Sequence, residues 1–460
     1  MGAIVAGSVT PKAPLFAKSG GTSNSIVLTA MTGTAALLGK GQPETKVWHY
    51  NRQVPGSVLR LAQGSPTSIR LVNKLPQATT LHWHGLRIAN AMDGVPDVTQ
   101  KAVPSGKHFD YQFTPPDAGT YWYHSHNRTW EQLARGLYGI IVVEEKSPPK
   151  VDQDLVLAID DWLIDNSGQI HEESLGAMHD WAHGGRAGNW ITVNGAPQPQ
   201  FPVVAGERLR LRLVNVANSR VMPLQFGGVK PVIVAIDGQP IKPVEAKDNV
   251  LVIAPGQRYD VMVDMQQDPG SRATLSLLTS KEPYEIASFS YDAKKVMRRN
   301  PLDATIQLPS NPLNSSFDFA GAKRVELLMQ SGAMGGLRSA QYQGKQQNFM
   351  QLMQQKKMWA MNGVTDLPKK PLLRIKRGQT VIIDMINDNR WDHAMHLHGH
   401  HFKIMQKENS VGDAWRDTTL IQGGESQKLV FVADNPGKWL LHCHMVEHTA
   451  AGMITWLEVV

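Results

Sequence analysis

The sequence predicts an all-β protein built from one unit written three times. Forty glycines and 28 prolines separate short Val/Ile/Thr-containing runs, the pattern of many short strands joined by turns. A block with a constant Gly-to-Asn spacing also recurs three times along the chain. At 460 residues the chain is too long for a single hydrophobic core, so several domains are expected.

The repeated block is read directly. Gly64 precedes a strand ending at Asn73, Gly206 one ending at Asn215, and Gly378 one ending at Asn387. Each block follows a tryptophan and an Asn turn: Trp48 with Asn51, Trp190 with Asn194-Gly195, and Trp359 with Asn362-Gly363. In the second copy, Leu209, Leu211 and Leu213 alternate with Arg210 and Arg212, which predicts a strand with one buried face. Boundaries follow at residues 1–145, 151–310 and 317–460. The first unit closes on GIIVVEE before SPPK, and the second on the Pro-rich stretch from Asn300 to Pro312. Each unit has an ordinary domain length.

Counting nine and eleven residues on from each Asn reaches His82 and His84 in the first unit and His396 and His398 in the third. The second unit has Leu224 and Phe226 there. Later in each unit comes a turn glycine: Gly119, Gly270 or Gly437. Five and seven residues beyond it stand His124 and His126, then Leu275 and Leu277, then His442 and His444. The middle unit is therefore an internal control. A plain β core takes Leu or Phe at these positions, so packing does not demand histidine. Eight imidazoles buried together without partners would be costly. Metal ligation removes that cost, and clustered histidines are its signature. The four His-x-His pairs come from the first and third units, which places a polynuclear metal cluster in their interface.

The third unit carries a second signal in PGKWLLHCHMVEHTAAGM, residues Pro436 to Met453. The stretch from Lys438 to Cys443 is apolar enough for a buried strand, whose successive side chains point to opposite faces. His442 and His444 then face one way and Cys443 the other, so one tripeptide serves two metal sites roughly 12 Å apart. Thiolate, two imidazoles and a weak thioether form the ligand set of an electron-transfer copper. Cys443, His448 and Met453 supply three of those four, and His393, three residues before His396, completes it. Zinc accepts Cys and His but does no redox chemistry. The counterparts of Cys443 are read as Ser125 and Ser276, and that of His393 as Thr79, so only the third unit can hold this site.

Composition excludes other classes. Net charge is +7 and pI about 9.3, yet no Lys/Arg block occurs, so a nucleic-acid partner is not expected. One cysteine allows no intrachain disulfide, and the cysteine count does not identify a compartment. The segment MGAIVAGSVTPKAPLF lacks the apolar core of a signal peptide, and Ala6 breaks a myristoylation motif. No apolar run is long enough for a membrane span. The expectation is a cytosolic protein or a mature form whose export signal was removed.

The motifs HWHG, HSH, HAMHLHG and HCHMVEHTAAGM, in that order, resemble the four copper-binding motifs of the multicopper oxidases. The resemblance spans nearly the whole chain, and three units with an unliganded middle one resemble three-domain laccases and bacterial copper-resistance oxidases. It implies three consecutive cupredoxin-like Greek-key domains of β-sandwich or barrel type and four copper ions. His393, Cys443, His448 and axial Met453 would correspond to the type 1 ligands. His82 and His396 would correspond to the type 2 ligands. His84, His124, His126, His398, His442 and His444 would correspond to the type 3 ligands. The implied reaction is one-electron oxidation of a reductant coupled to reduction of dioxygen to water, with Cys443, His442 and His444 carrying electrons between the sites. Asp93, in NAMDGVPD, matches an acidic position that relatives keep near the cluster, although an Asp-Gly turn also explains it. Some relatives carry an acid just after the last type 1 histidine; here Thr449 occupies that place, so no second proton relay is assigned. The resemblance also implies an exported, periplasmic or extracellular protein; action as a monomer is a separate expectation.

Two reductants compete: a small aromatic donor, as in laccases, or Cu(I), as in cuprous oxidases. Met329, Met334, Met350, Met353, Met358 and Met361 offer thioethers, which suit Cu(I) but also fill cores. QQNFMQLMQQKKM predicts a short helix with Met350 and Met353 on one face. Relatives that oxidise Cu(I) carry Asp and Met shortly before the first type 1 histidine, where this chain has Asn389 and Trp391, which weighs toward the laccase-like reading. His400 and His401 read as structural. A copper store or carrier would not need the Cys443 bridge, and a nitrite-reducing cupredoxin would not need four His-x-His pairs.

Overall fold

The computed structural model describes residues 17–18, 26–300, 302, 306–331 and 335–460. The N-terminal segment considered above for targeting motifs, Met334 and part of the Pro-rich stretch after Asn300 lie outside these residues. Three two-sheet sandwiches follow one another along the chain. In the first, the sheet ordered Ala17–Lys18, Gly56–Ala62, Tyr138–Glu144, Gly119–His124, His82–His84 faces a four-stranded sheet built around Ile26–Ala35 and Thr67–Asn73. In the second, a six-stranded sheet centred on Arg208–Asn215 and Arg258–Asp264 faces one running Gln200–Ala205, Tyr284–Val296, Arg272–Leu277, Met222–Gly227, Val250–Ile253. In the third, a six-stranded sheet centred on Thr380–Asp388 and Ser426–Val432 faces one running Leu373–Ile375, Ile454–Val459, Gly437–Cys443, His393–Leu397, Thr418–Ile421. Each sandwich encloses its own apolar cluster.

The repeated Asn has a physical basis. The amide nitrogens of Asn73, Asn215 and Asn387 each donate to the carbonyl four or five residues on, at Gln77, Arg220 and Trp391. Each also reaches a carbonyl of a neighbouring segment, at Val103, Ile253 and Ile421. These bonds satisfy buried carbonyls where the strand turns away, so the same residue closes the same loop three times. The loop then delivers the chain to the next strand at a fixed distance, the origin of the constant spacing to the histidines.

Strand register refines the comparison of the three units. His82 lies opposite His124, and His396 opposite His442. Leu224 lies opposite Leu277, not Leu275. The position equivalent to Cys443 in the middle unit is therefore Leu278, whose N–H bonds the Pro223 carbonyl, rather than Ser276. Thr279 stands at the His126/His444 position. The turn after Gly270 is longer by two residues than its counterparts, a difference that offset counting from the glycine cannot see. None of the corrected positions is an imidazole.

The alternating strand Arg208–Asn215 is buried on both faces, not one. Arg210 and Arg212 reach the first sandwich at Glu145 and Thr120 and are otherwise buried in ion pairs with their own sheet. Arg210 bonds Glu145 at 2.7 Å and Asp260, and Arg212 bonds Asp154 at 2.6 Å and the Thr120 hydroxyl at 2.9 Å. Arginine on an alternating strand ordinarily marks a solvated face; here Asp154 and Asp260 of the same sheet, with Glu145 of the first sandwich, replace water. The first and last sandwiches are pinned where Asn90 donates to the Lys438 carbonyl at 2.7 Å and Asn435 to the Ile88 carbonyl at 2.9 Å. Gly437, at φ +136, is held against Asn90, and a side chain there would collide with it.

Candidate metal centre

The eight His-x-His imidazoles gather between the first and third sandwiches. Adjacent strands Gly119–His124 and His82–His84 present one set, and Gly437–Cys443 and His393–Leu397 the other. The sets interleave: His82 stacks on His398 with ring centroids 4.1 Å apart, and His84 on His396 at 3.7 Å. The ligand atoms of His126, His398 and His442 all lie within 4.8 Å of one another, as do those of His82, His396 and His398. The rings of His84, His124 and His444 form a third group, with centroids 4.8 to 5.8 Å apart. His126 is half-buried and the other seven are buried.

Hydrogen bonds orient these rings. Nδ1 of His82 donates to the Asp93 carbonyl at 2.7 Å, that of His124 to the Ser125 carbonyl at 2.9 Å, and that of His396 to the Asp417 carbonyl at 2.9 Å. Nδ1 of His398 meets Asp93 Oδ2 at 2.9 Å, and that of His442 the Cys443 carbonyl at 2.9 Å. In each case Nε2 is left facing the cluster. His84 is reversed: its Nε2 meets Asp417 at 3.2 Å, and Nδ1 faces inward. Nε2 of His82, His124 and His396, Nδ1 of His84 and both nitrogens of His444 are buried without any partner. Nε2 of His398 and of His442 sit 3.0 Å apart. Convergent lone pairs, with the opposite ring nitrogen anchored on His82, His84, His124, His396, His398 and His442, are the arrangement metal ions take. Burial, then mutual repulsion, pushes His84, His124, His126, His398 and His444 well below the usual imidazole range. Burial holds His442 down to about 3. Neutral imidazoles are the state in which metals are ligated.

The second group lies on the other face of Gly437–Cys443. Cys443 Sγ is 3.7 Å from His393 Nδ1 and 3.6 Å from His448 Nδ1, and the two Nδ1 atoms are 3.1 Å apart. The opposite nitrogens are anchored: His393 Nε2 meets Asn389 Oδ1 at 3.1 Å, and His448 Nε2 meets the His183 carbonyl at 2.6 Å. Two Nδ1 lone pairs thus face each other and a sulfur, which a single cation would resolve. Met453 is fully buried beside them, its carbonyl accepting the Cys443 N–H at 3.2 Å. Trp359 walls the site, its ring centroid 4.4 Å from that of His448. Burial pushes the Cys443 thiol up to about 12, so a bound cation must displace its proton. In the first sandwich the equivalent positions, Thr79 and Ser125, hydrogen-bond each other at 3.1 Å and share Gln132. Hydroxyls and an amide occupy the space where the third sandwich has nitrogen and sulfur ligands.

Asp93 is both a turn residue and a neighbour of the cluster. It precedes Gly94, at φ +81, and its carboxylate also lies 3.3 Å from His82 Nδ1. Sequence spacing did not reveal Asp417, Asp237, Arg258 or Glu447. Asp417 touches His84, His396 and His401 and is gripped by Arg258 at 2.6 and 2.8 Å. Burial alone would raise its carboxyl, but Arg258 and the imidazoles outweigh this and hold it well below the usual range. Asp237, also beside Arg258, is pushed up to about 6 by burial and by Asp417. His401 belongs to this network and His400 packs on Trp439, so both sit in the framework around the cluster. Glu447, directly before His448, is buried, accepts from Asn218 at 2.7 Å and is raised by burial to about 7. The middle sandwich also supplies Gly256, at φ +84, whose Cα faces the His444 and His84 rings.

The short helix forms, but Met350 and Met353 do not share one environment. Met329, Met358 and Met361 are buried in the third core. The short helix Phe349–Gln354 leaves Met350 58 % exposed but turns Met353 into that core. A helix this short, packed on one side, presents its two methionines to different surroundings.

Comparison with known proteins agrees with this arrangement. Family models described as multicopper oxidase match residues 32–148, 153–283 and 340–460. The crystal structure of Lac15 from a marine microbial metagenome is 39 % identical, covers 95 % of this chain and 100 % of that one, and superposes with a TM-score of 0.76. A multicopper oxidase from Pseudomonas thermotolerans is 29 % identical, covers 97 % of this chain and 100 % of its own, with a TM-score of 0.81. The multicopper oxidase MmcO of Mycobacterium tuberculosis is 27 % identical over 95 % of this chain and 88 % of its own length. Three consecutive matches, over sandwiches whose outer pair encloses converging imidazoles, lead to one assignment: this cupredoxin-like, all-β chain belongs to the multicopper oxidase family.

Proposed function

We propose that the chain is a laccase-like oxidase that draws single electrons from phenols or aromatic amines and reduces dioxygen to water. The observation that carries this reading is the tripeptide His442-Cys443-His444. Its sulfur faces His393 and His448, while both its imidazoles face the interface cluster. On this reading His393, Cys443, His448 and Met453 hold a type 1 copper. His82 and His396 hold a type 2 copper, and His84, His124, His126, His398, His442 and His444 hold a type 3 pair. Four copper ions, when bound, supply one-electron oxidation at one site and four-electron reduction of dioxygen at the other.

The chain's own groups do the rest. The Cys443 main chain gives a continuous covalent route from the sulfur to both neighbouring imidazoles. Asp93, on His82 and His398, is placed to hold a proton beside the cluster. Asp417 keeps His84 turned so that Nδ1 faces inward. Aromatic donors are favoured over a thioether-bound Cu(I), because Met329, Met358 and Met361 are enclosed in the core. Asn389 and Trp391 stand where an acid and a methionine would assist Cu(I), and Asn389 is engaged with His393. The cluster is completed within one chain, which supports action as a monomer. No helix among the described residues is long and apolar enough to cross a membrane. Family likeness supports export to the periplasm or beyond.

Oxygen uptake by copper-loaded protein with 2,6-dimethoxyphenol is the test. The expected result is a blue protein that consumes one dioxygen per four donor molecules and releases no peroxide. Absence of uptake, or stoichiometric peroxide, overturns the reading.

A further inference from the structure

His448 stands on the helix Val446–Ala450, five residues long, whose N-cap Met445 makes no side-chain cap bond. So short a helix does not hold its shape alone, and its first N–H groups need acceptors from outside. The first of them is met across a sandwich boundary: the Val446 N–H bonds the main-chain carbonyl of Asn218 at 3.1 Å. The Asn218 side chain adds two more bonds. Its amide nitrogen donates to Oε1 of Glu447, the neighbour of His448, at 2.7 Å, and to the Trp130 carbonyl of the first sandwich at 3.0 Å. Asn218 is 4 % exposed, so solvent does not compete for these bonds. One residue of the middle sandwich thus bonds both outer sandwiches beside the sulfur site.

The loop that carries Asn218 is the middle copy of the one closed by the repeated Asn. In the third unit it runs from Asn387 to the candidate ligand His393, six residues on. In the middle unit the same count runs from Asn215 to Val221, which packs against the third core. The next residue of the loop fixes what covers His448. Nε2 of His448 bonds the His183 carbonyl at 2.6 Å, and the Ser219 hydroxyl donates to the Arg186 carbonyl of that same segment at 2.9 Å. Gly185, at φ +80, allows this approach: a Cβ there would lie 2.4 Å from the Ser219 Cβ. The loop that presents a ligand in one copy therefore grips another ligand of the same site in the next. Packing alone would call for an apolar side chain; it does not call for a buried amide whose bonds reach two different sandwiches.

We propose that Asn218 is a positioning residue for the sulfur site: through Glu447 and the Val446 N–H it sets the angle at which His448 faces Cys443, and so the geometry of the metal held there. His448 Nδ1 lies 3.6 Å from Cys443 Sγ and 3.1 Å from His393 Nδ1, so a small rotation of its helix alters both separations. Met453 would move with it, because its N–H bonds the His448 carbonyl at 2.9 Å. The geometry of a copper bound by thiolate, two imidazoles and a thioether shapes its colour and redox behaviour, and partners that orient its ligands tune both. The proposal rests on the reading of His448 as a ligand of the sulfur site.

The test compares copper-loaded Asn218→Ala, Glu447→Ala and Glu447→Gln with the wild type. Asn218→Ala keeps the main-chain bond to Val446 and removes only the amide. Its blue band should shift, and the copper hyperfine splitting of the sulfur site in electron paramagnetic resonance should change, while the signal of the interface cluster stays. Anaerobic reduction of the blue band by 2,6-dimethoxyphenol should slow about tenfold, the lower end of the effect of losing a partner that orients a ligand. Glu447→Ala should reproduce these changes, and the double variant should add nothing to them, as expected of two residues acting through one bond. Glu447→Gln keeps an oxygen acceptor and should keep the wild-type splitting. A wild-type band and splitting in Asn218→Ala, additive changes in the double variant, or a splitting in Glu447→Gln as altered as that in Glu447→Ala overturns the proposal. If Asn218→Ala does not fold, the two Glu447 variants decide by the same splitting. A wild type without a blue band removes instead the assignment of His448 on which the proposal stands.

Discussion

Asp93 of the first sandwich and His398 of the third share a hydrogen bond, carboxylate Oδ2 to ring Nδ1 at 2.9 Å. This contact crosses the interface that gathers the imidazoles, and it puts the one acidic side chain singled out in the sequence against two candidate ligands. Replacing Asp93 with Asn keeps the size and removes the proton-holding charge. Asp93→Asn should leave the blue absorbance intact and slow dioxygen reduction by about 10- to 100-fold, the usual effect of losing such a partner. A pH–rate profile that matches the wild type would show that Asp93 only positions rings.

Cys443 is fully buried between two imidazoles. Cys443→Ser should remove the blue band, lower copper content by one equivalent and abolish turnover with every donor. The His-x-His cluster lies on the opposite strand face, so its copper should persist, detectable by electron paramagnetic resonance. Loss of all metal would mean that the two sites do not assemble independently.

The metal-free protein should be sensitive to acid. Burial depresses His448 to about 4 and His442 to about 3 in the folded state, against roughly 6.5 when unfolded. A depressed folded value means the unfolded chain binds more protons below pH about 6.5. The stability each group provides is complete above that pH and declines as pH falls toward its folded value. The slope is about 1.4 kcal/mol per pH unit for each group within its window. Urea unfolding of apoprotein between pH 7 and 4 should show a falling midpoint; a flat profile would argue that the imidazoles are not enclosed without metal.

Gly256 of the middle sandwich closes on the cluster. A Cβ there would lie 3.0 Å from His444 Cγ and from His84 Cε1, at a backbone φ of +84 that side chains rarely adopt. Gly256→Ala should reduce copper at the interface cluster and slow turnover, while the blue band, on the far face of the strand, is retained. Normal metal content with normal turnover would show that the rings yield.

Arg258 grips Asp417 through two bonds inside a fully buried network. Arg258→Met leaves that carboxylate without its guanidinium partner and takes from Asp237 one of its two neighbouring cations, Arg416 being the other. The expected cost is about 3–5 kcal/mol, the range for breaking a buried pair from one side. Chemical denaturation of apoprotein measures it without interference from bound metal. A loss below about 1 kcal/mol would mean that His84, His396 and His401 already neutralise Asp417.

Spacing along the chain determined much of this molecule. The recurrence of Gly64, Gly206 and Gly378 with Asn73, Asn215 and Asn387 reports a loop closed by the same side-chain bonds in each copy, and backbone geometry makes such a loop constant in length. A strand's two-residue period likewise put His442 and His444 on one face and Cys443 on the other before any contact was known. Packing between distant segments decided the rest. Offset counting from Gly270 missed the two extra residues in its turn, so only cross-strand pairing identified Leu278 as the counterpart of Cys443. Arg210 and Arg212 looked solvent-facing because alternation records polarity, not whether water or a carboxylate receives the charge. Asp417, Asp237 and Arg258 stand at no diagnostic spacing; they became neighbours of the imidazoles only when three sandwiches met. The cover on His448 arises in the same way, from a carbonyl 265 residues away in sequence, a group every residue carries and no side-chain pattern can announce.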